Sequence, residues 1–179
     1  MSFTGVVLAG GRSSRMGRDK ALLEIDGRTL LDRAIALLQD AGASRVLVSG
    51  DRPKHDGIVD RTPGAGPVGG IASVMPHVAG GPMLVVPVDL PDLDVRNVQI
   101  LMAALSTAQA VCFQGHPLPW AARVDARLRG IVDDVMRDAP QGPSMRALHA
   151  AVGGIEIEVL APLALRNLNA PADFEARSR

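Results

Sequence analysis

Phe3-Thr4-Gly5-Val6-Val7-Leu8-Ala9-Gly10-Gly11-Arg12-Ser13-Ser14-Arg15-Met16-Gly17-Arg18-Asp19-Lys20-Ala21-Leu22-Leu23 is the stretch whose reading decides the fold. The apolar run from Phe3 to Ala9 reads as a buried strand. It breaks at paired glycines into a polar loop carrying Arg12, Arg15, Arg18 and Lys20. Open α/β sheets bind phosphorylated ligands in such a loop, past the carboxyl end of a first parallel strand. Gly10 and Gly11 lack Cβ atoms, so backbone N–H groups there can come close to phosphate oxygens. Two better-known phosphate loops are excluded. A P-loop needs Gly-x-x-x-x-Gly-Lys-Ser/Thr, whereas Gly17 is followed by Arg18 and Asp19 before the lysine. Gly10-Gly11-Arg12 does not supply the dinucleotide fingerprint Gly-x-Gly-x-x-Gly. The loop is read as a holder of a nucleoside triphosphate.

Composition limits the remaining classes. The 179 residues suit one domain with a full-sized core. The chain is 47% hydrophobic but only 2% aromatic, so aliphatic side chains must build the interior. A formal net charge of +0 argues against broad adhesion to nucleic acid or to an anionic membrane. Of the 19 basic residues only Lys20 and Lys54 are lysines, which makes the lysine in the loop more noticeable. Cys112 is the only cysteine and lies in an apolar run, which fits a reducing compartment and a core position. No signal peptide and no apolar stretch of membrane-spanning length is seen, so a cytoplasmic protein is expected.

The long segment Leu8-Ala9-Gly10-Gly11-Arg12-Ser13-Ser14-Arg15-Met16-Gly17-Arg18-Asp19-Lys20-Ala21-Leu22-Leu23 resembles Leu-Ala-Gly-Gly-x-Ser-x-Arg-Met-Gly-x-Asp-Lys-x-Leu-Leu. That is the signature of the molybdenum cofactor guanylyltransferases (MobA), within the wider nucleotidyltransferases. Sister enzymes handling CTP more often carry Leu-Ala-Ala-Gly, so Gly10 implies a preference for GTP. The resemblance places the nucleotide on Leu8, Ala9, Gly10 and Gly11, with Arg15 and Lys20 against the phosphates.

Downstream, Leu22 to Ile25 is a short extended piece ended by the turn dipeptide Asp26-Gly27. Helical spacing of Leu30, Leu31, Ala34, Ile35, Leu37 and Leu38 predicts a helix between Thr29, its N-cap, and Gly42, its stop. Arg45 to Ser49 reads as the next parallel strand, reached by a right-handed crossover. The family commonly has an asparagine at or near Ser49, where it helps with the guanine base; the serine keeps a hydrogen-bonding group. Gly57 to Asp60 is read as a short third strand, with Asp60 matching an aspartate that contacts the nucleotide in the family. Gly66-Pro67-Val68-Gly69-Gly70 resembles the family's Gly-Pro-Leu-Ala-Gly, and Gly66 joins the proposed nucleotide contacts. Pro67 suits a first helical turn, and the glycines let its backbone approach a ligand. Ile71, Val74, Met75 and Val78 then form the buried stripe of that helix.

Met83 to Val88 is a continuous apolar run, as a central parallel strand requires. It ends in Asp89-Leu90-Pro91-Asp92, and a carboxylate at the mouth of a buried strand is costly unless paired or bound to a metal. The motif resembles the family's Cys/Ala-Asp-x-Pro, whose aspartate holds Mg²⁺ on the triphosphate; the resemblance assigns that role to Asp89. Asp92 or Asp94 is expected to cap a helix from about Val95 to Leu105. Gln109 to Phe113 and Pro119 to Val124 read as a strand pair around a turn, Gln114 to Leu118. That turn resembles the family's His-Pro segment near the acceptor and brings in His116. Helices are expected at Ala126 to Met136 and after Ser144, and a half-exposed strand at Gly154 to Val159. Asn167-Leu168-Asn169-Ala170-Pro171-Ala172-Asp173 resembles the family's Asn-x-Asn-Thr-Pro-x-Asp/Glu, which puts Asn167 and Asn169 on the acceptor side.

The pattern implies an α/β fold: a Rossmann-like three-layer sandwich, mostly parallel, with helices on both faces and a small antiparallel part after Leu105. The resemblance implies a single nucleotidyltransferase domain, residues 1–179, joining GMP from GTP to the phosphate of molybdopterin and releasing pyrophosphate, with Mg²⁺ as cofactor. It also implies transient contact with proteins that deliver the cofactor or mature molybdoenzymes. Two readings stay open: a small nucleotidyltransferase using CTP or a sugar-phosphate acceptor, and a nucleotide-binding regulatory protein without turnover.

Overall fold

The computed structural model describes residues 2–10, 19–139, 141–159 and 162–168. Along the chain these form β1 (Phe3–Leu8), the hairpin β2 (Glu24–Ile25) and β3 (Arg28–Thr29), α1 (Leu30–Asp40), β4 (Ala43–Ser49), α2 (Gly66–Val74), β5 (Gly81–Pro87), α3 (Val95–Ala104), β6 (Ala110–Phe113), β7 (His116–Val124), α4 (Ala126–Asp138), α5 (Met145–Val152) and β8 (Ile155–Ile157). Six strands make one sheet in the order β4-β1-β5-β7-β6-β8. β1 runs parallel to β4 and β5, and β6 parallel to β8, while β7 is antiparallel to both its neighbours. The expected mostly parallel α/β sheet with a small antiparallel part is observed.

Alternation along the strands sorts side chains between two cores. Val7 and Ala9 of the first strand region, with Leu84 and Val86 of β5, face α1 and α3. Val6, Leu8, Met83 and Val85 face α2, α4 and α5. Each fully buried Val or Leu contributes about 1.5–3 kcal/mol relative to exposure, and these outnumber the few buried aromatics, Phe3, Phe113 and Trp120.

Local chemistry sets the helix ends. Thr29 accepts from the Asp32 amide, Asp94 from Asn97, Asp125 from Leu128 and Ser144 from Ala147. The helix after β5 is therefore capped by Asp94, leaving Asp92 outside that role.

Chain order fixes where a ligand can sit. From β1 the chain crosses through α1 to β4 on one flank, and from β5 it leaves through α3 towards β6 on the other. Neighbouring strands whose connections diverge open a crevice at their carboxyl ends. The β1/β5 boundary is that point.

Two expectations need correction. Gly57 to Asp60 is not a strand: it meets β4 through one parallel bridge, Ser49 to Ile58, and Val59 is exposed. Only Ile58 alternates its amide and carbonyl between Val48 and Gly50, so no ladder can propagate. His116 is not in a turn but opens β7, opposite Phe113. The turn shrinks to Gln114-Gly115 because Gly115 takes φ 75° and reverses the chain within two residues. Among the described residues no helix is long and apolar enough to cross a membrane.

Candidate functional site

β1 and β4 end side by side, and the Ala9 amide continues their pairing by donating to the Ser49 carbonyl at 2.9 Å. The Leu8 side chain is buried in the core beneath α2, so Leu8 meets the crevice through its backbone alone. Ser49 is also buried, and its hydroxyl donates to Asp60 Oδ1 at 2.9 Å. It therefore stands behind Asp60 and holds one carboxylate oxygen in place.

Gly10 packs against the other oxygen. A Cβ built on Gly10 would lie 2.6 Å from Asp60 Oδ2, closer than non-bonded atoms approach. Asp60, held through Oδ1 by Ser49, would have to shift to make room. Gly10, Ser49 and Asp60 thus form one wall, and Gly10, Asp60 and Gly66 border a cavity of about 770 Å³. The other glycines of the second motif do something different. A Cβ on Gly70 would sit 2.6 Å from Ser49 Oγ, so Gly70 lets α2 pack down onto the end of β4. Gly66 alone of that motif borders the cavity.

Across the β1/β5 boundary stands a charged corner. Lys20 begins a 3₁₀ turn, Lys20–Leu22, and its Nζ lies 3.6 Å from Asp89 Oδ2 just past β5. Both side chains are about one-fifth exposed, at 21% and 20%. Burial pushes the Asp89 carboxyl above its usual range, against the pull of Lys20. Asp89 Oδ1 is buried and, among the described residues, has no hydrogen-bond partner. An ionisable oxygen withdrawn from water and left unpaired is unstable by itself and fits a hard cation. Among the described residues no group of three His, Cys, Asp or Glu could enclose a metal. Asp89 would then hold a cation together with oxygens of the substrate, as is common for Mg²⁺.

The remaining predicted residues divide by location. Asn167 is exposed beside Leu168, whose amide donates to the Asp89 carbonyl at 2.9 Å, so the last described segment docks on the β5–α3 connection. His116 lies at the sheet's carboxyl edge, because β7 runs opposite to β5. Gly11, Arg15 and Asn169 lie outside the described residues.

Sequence reasoning misses Arg52. Its Nε and Nη2 donate to the Ala9 carbonyl at 3.1 and 2.6 Å, its Nη2 to Asp19 Oδ1 at 2.9 Å, and its Nη1 to Asp19 Oδ2. One guanidinium thereby holds both described ends of the phosphate-loop segment. The only sequence signal is an arginine close behind the carboxyl end of a strand neighbouring β1.

Comparison with known proteins bears on the family and the fold. Residues 5–152 match the MobA-like NTP transferase domain. Over 147 residues the chain is 49% identical to a molybdenum cofactor guanylyltransferase of Xanthomonas euvesicatoria pv. vesicatoria (strain 85-10), covering 82% of this chain and 77% of that protein. In fold it resembles molybdopterin-guanine dinucleotide biosynthesis protein A from Archaeoglobus fulgidus, with a TM-score of 0.77 at 16% identity over 98% of this chain and 96% of that one. It likewise resembles 2-C-methyl-D-erythritol 4-phosphate cytidylyltransferase from Thermus thermophilus, with a TM-score of 0.75 at 22% identity over 99% and 98% of the two chains.

Proposed function

The chain belongs to the MobA-like NTP transferase family, and from that premise we propose that it transfers GMP from GTP to the terminal phosphate of molybdopterin. An acceptor phosphate oxygen attacks the α-phosphorus in line. The new P–O bond forms as the bond to the β-phosphate oxygen breaks, and pyrophosphate leaves. The acceptor is already anionic near neutral pH, so the enzyme needs position and charge neutralisation rather than a strong base.

The observation that carries this reading is the Lys20–Asp89 corner at the strand boundary, with a buried carboxylate oxygen that has no partner among the described residues. Lys20 offsets the charge that builds on the departing pyrophosphate, with Arg15 assigned beside it. Asp89 would hold Mg²⁺, and the ion would supply Lewis-acid polarisation of the phosphate oxygens. The Ala9–Gly10 backbone and Asp60 take the base and ribose end, where a carboxylate accepts from guanine N–H groups or a ribose hydroxyl. Gly10 supports this reading because a Cβ there would crowd Asp60 Oδ2, the carboxylate that Ser49 holds for the nucleotide. His116, Asn167 and Asn169 are assigned to the acceptor side.

Incubation with GTP, Mg²⁺ and molybdopterin should yield the guanine dinucleotide by mass together with stoichiometric pyrophosphate. A product formed only from CTP, or only on a sugar phosphate, would replace this reading with a neighbouring transferase activity. GTP bound without any pyrophosphate release would leave a binding protein.

A further inference from the structure

We propose that Arg52 is a positioning residue that ties the Lys20–Asp89 corner to the Gly10–Asp60 wall and so sets where Lys20 meets the triphosphate. The inference deepens the guanylyl-transfer reading and rests on it. Its basis is the set of contacts made by one side chain. Arg52 leaves the chain just after β4, where its own carbonyl accepts from the amides of His55 and Gly57 at 2.9 and 3.0 Å. Its backbone is therefore fixed before the side chain begins. The guanidinium then reaches the Ala9 carbonyl, at the end of β1, with two N–H groups. Its remaining face grips both oxygens of Asp19.

Asp19 passes that constraint to Lys20. Its Oδ1 also accepts from the Ala21 amide at 3.1 Å and so caps the Lys20–Leu22 turn. The far side of the turn is held as well: Ala21 is buried in the core and the Leu23 carbonyl accepts from Leu30 at 2.8 Å. Lys20 is the first residue of a turn that cannot rotate unless the Arg52–Asp19 fork opens. Only arginine can make this joint, since its planar fork satisfies a carboxylate in two places and a carbonyl at once. A lysine is a point charge and can hold one end only. Misplacing a catalytic group by about 1 Å costs on the order of 10²-fold in rate.

The test uses Arg52→Gln, Arg52→Lys and Asp19→Asn in the full chain, each also combined with Lys20→Ala. Arg52 also lines the cavity bordered by Gly10 and Asp60, so some loss of GTP affinity is expected in Arg52→Gln, but kcat for dinucleotide formation should fall further, about 10²-fold, because the joint orients Lys20. Arg52→Lys should not restore the rate. In the Lys20→Ala background Arg52→Gln should cost little more, since its effect runs through Lys20. Asp19→Asn keeps an acceptor for the turn and is the milder variant should Arg52→Gln fold poorly; its kcat should fall in the same direction. A second readout needs no turnover. Lys20 and Lys54 are the chain's two lysines, and Lys54 is exposed. Acylation mapped by mass spectrometry should show GTP shielding Lys20 but not Lys54 in the wild type, with shielding reduced about tenfold in Arg52→Gln. Wild-type kcat in Arg52→Gln, full rescue by lysine, additivity with Lys20→Ala, or unchanged shielding would each overturn the proposal. Absence of guanine dinucleotide from the wild type would instead remove the reaction assigned above, while the shielding measurement still decides the role of Arg52.

Discussion

Asp89 and His149 are both titratable side chains withdrawn from water, and the fold treats them in opposite ways. Asp89 keeps one oxygen on Lys20 and leaves the other buried with no partner among the described residues. His149, on α5, is fully engaged: Nδ1 accepts from Trp120 Nε1 at 3.1 Å, and Nε2 faces the sulfur of Cys112 at 3.7 Å. A Cys–His pair suggests a nucleophile and its base, but the tryptophan decides otherwise. Because Nδ1 is an acceptor, the ring proton sits on Nε2 and points at the sulfur, so the imidazole cannot take the thiol's proton. Burial lowers the histidine's pKa and pushes the Cys112 thiol up to about 11, with Glu156 adding to the second effect. The satisfied His149 cluster is packing, whereas the buried carboxylate oxygen of Asp89 suits a ligand. Two other buried atoms lack partners among the described residues, Arg33 Nε and Asn97 Oδ1, but neither is a carboxylate at a strand's carboxyl end.

The sharpest way to break this comparison is to neutralise both sites. Asp89→Asn should lower turnover on the order of 10³-fold, the scale of losing a preorganised charge at a reacting phosphate. It should not lower the stability of the ligand-free protein at neutral pH. Burial raises the folded-state pKa of Asp89, so its ionised form opposes folding above that pKa, and the cost is relieved as pH falls through it. Thermal melts of wild type and Asp89→Asn should therefore converge towards acid, with the variant equal or higher at pH 7. Mg²⁺ dependence of turnover should weaken on acidification earlier than an ordinary carboxylate would allow. A variant that melts well below wild type at pH 7 would make Asp89 structural.

His149→Ala should show the inverse: a loss of about 3 kcal/mol, from the cavity and the stranded Trp120 N–H, with near-normal kcat in the folded fraction. Its pH signature also reverses. A depressed histidine pKa gives stability that is whole above the unfolded value, near 6.5, and is lost as pH falls from there through the folded value, at up to about 1.4 kcal/mol per pH unit. His149→Gln retains an acceptor for Trp120 and should flatten that acid limb in denaturant titrations. A limb unchanged in the glutamine variant would assign the titration elsewhere.

Smaller still is the effect of Gly10→Ala. Displacing Asp60 from the wall should narrow the preference for GTP over CTP about tenfold, or 1.4 kcal/mol, in calorimetric affinities. Equal discrimination in wild type and variant would detach Gly10 from base choice.

Where the sequence is legible, the deciding interactions are local. The strand-to-glycine break at Ala9–Gly10, the Thr29 and Ser144 caps, and Asp89 after an apolar run depend on residues within a few positions. What escapes depends on distance. Arg52 reaches Ala9 and Asp19 across 43 and 33 residues, and nothing near it in the chain announces either partner. Gly57 to Asp60 has a strand's composition, but pairing is a property of the neighbour and β4 offers it one bridge. The glycines of the second motif read as approach to a ligand, whereas the atom Gly70 makes room for is Ser49 Oγ. Asp60 is legible as an acid, but its setting between Ser49 and Gly10 is not.

One measurement, at Cys112, binds the two regions together. The thiol is 2% exposed and almost entirely protonated at neutral pH, so a maleimide cannot reach a thiolate in the closed protein. Any labelling must pass through an opened state, and under conditions of fast reclosing its rate reports the free energy of that opening. In Asp89→Asn the rate at pH 7 should stay at or below wild type, since the change lies past β5, separated from β6 by β7, and removes a buried charge. In His149→Ala it should rise with the stability lost, by about two orders of magnitude for about 3 kcal/mol. Fast labelling of the wild type, insensitive to His149, would show that the cluster opens on its own, and the contrast between a sealed core and an open site would fall with it.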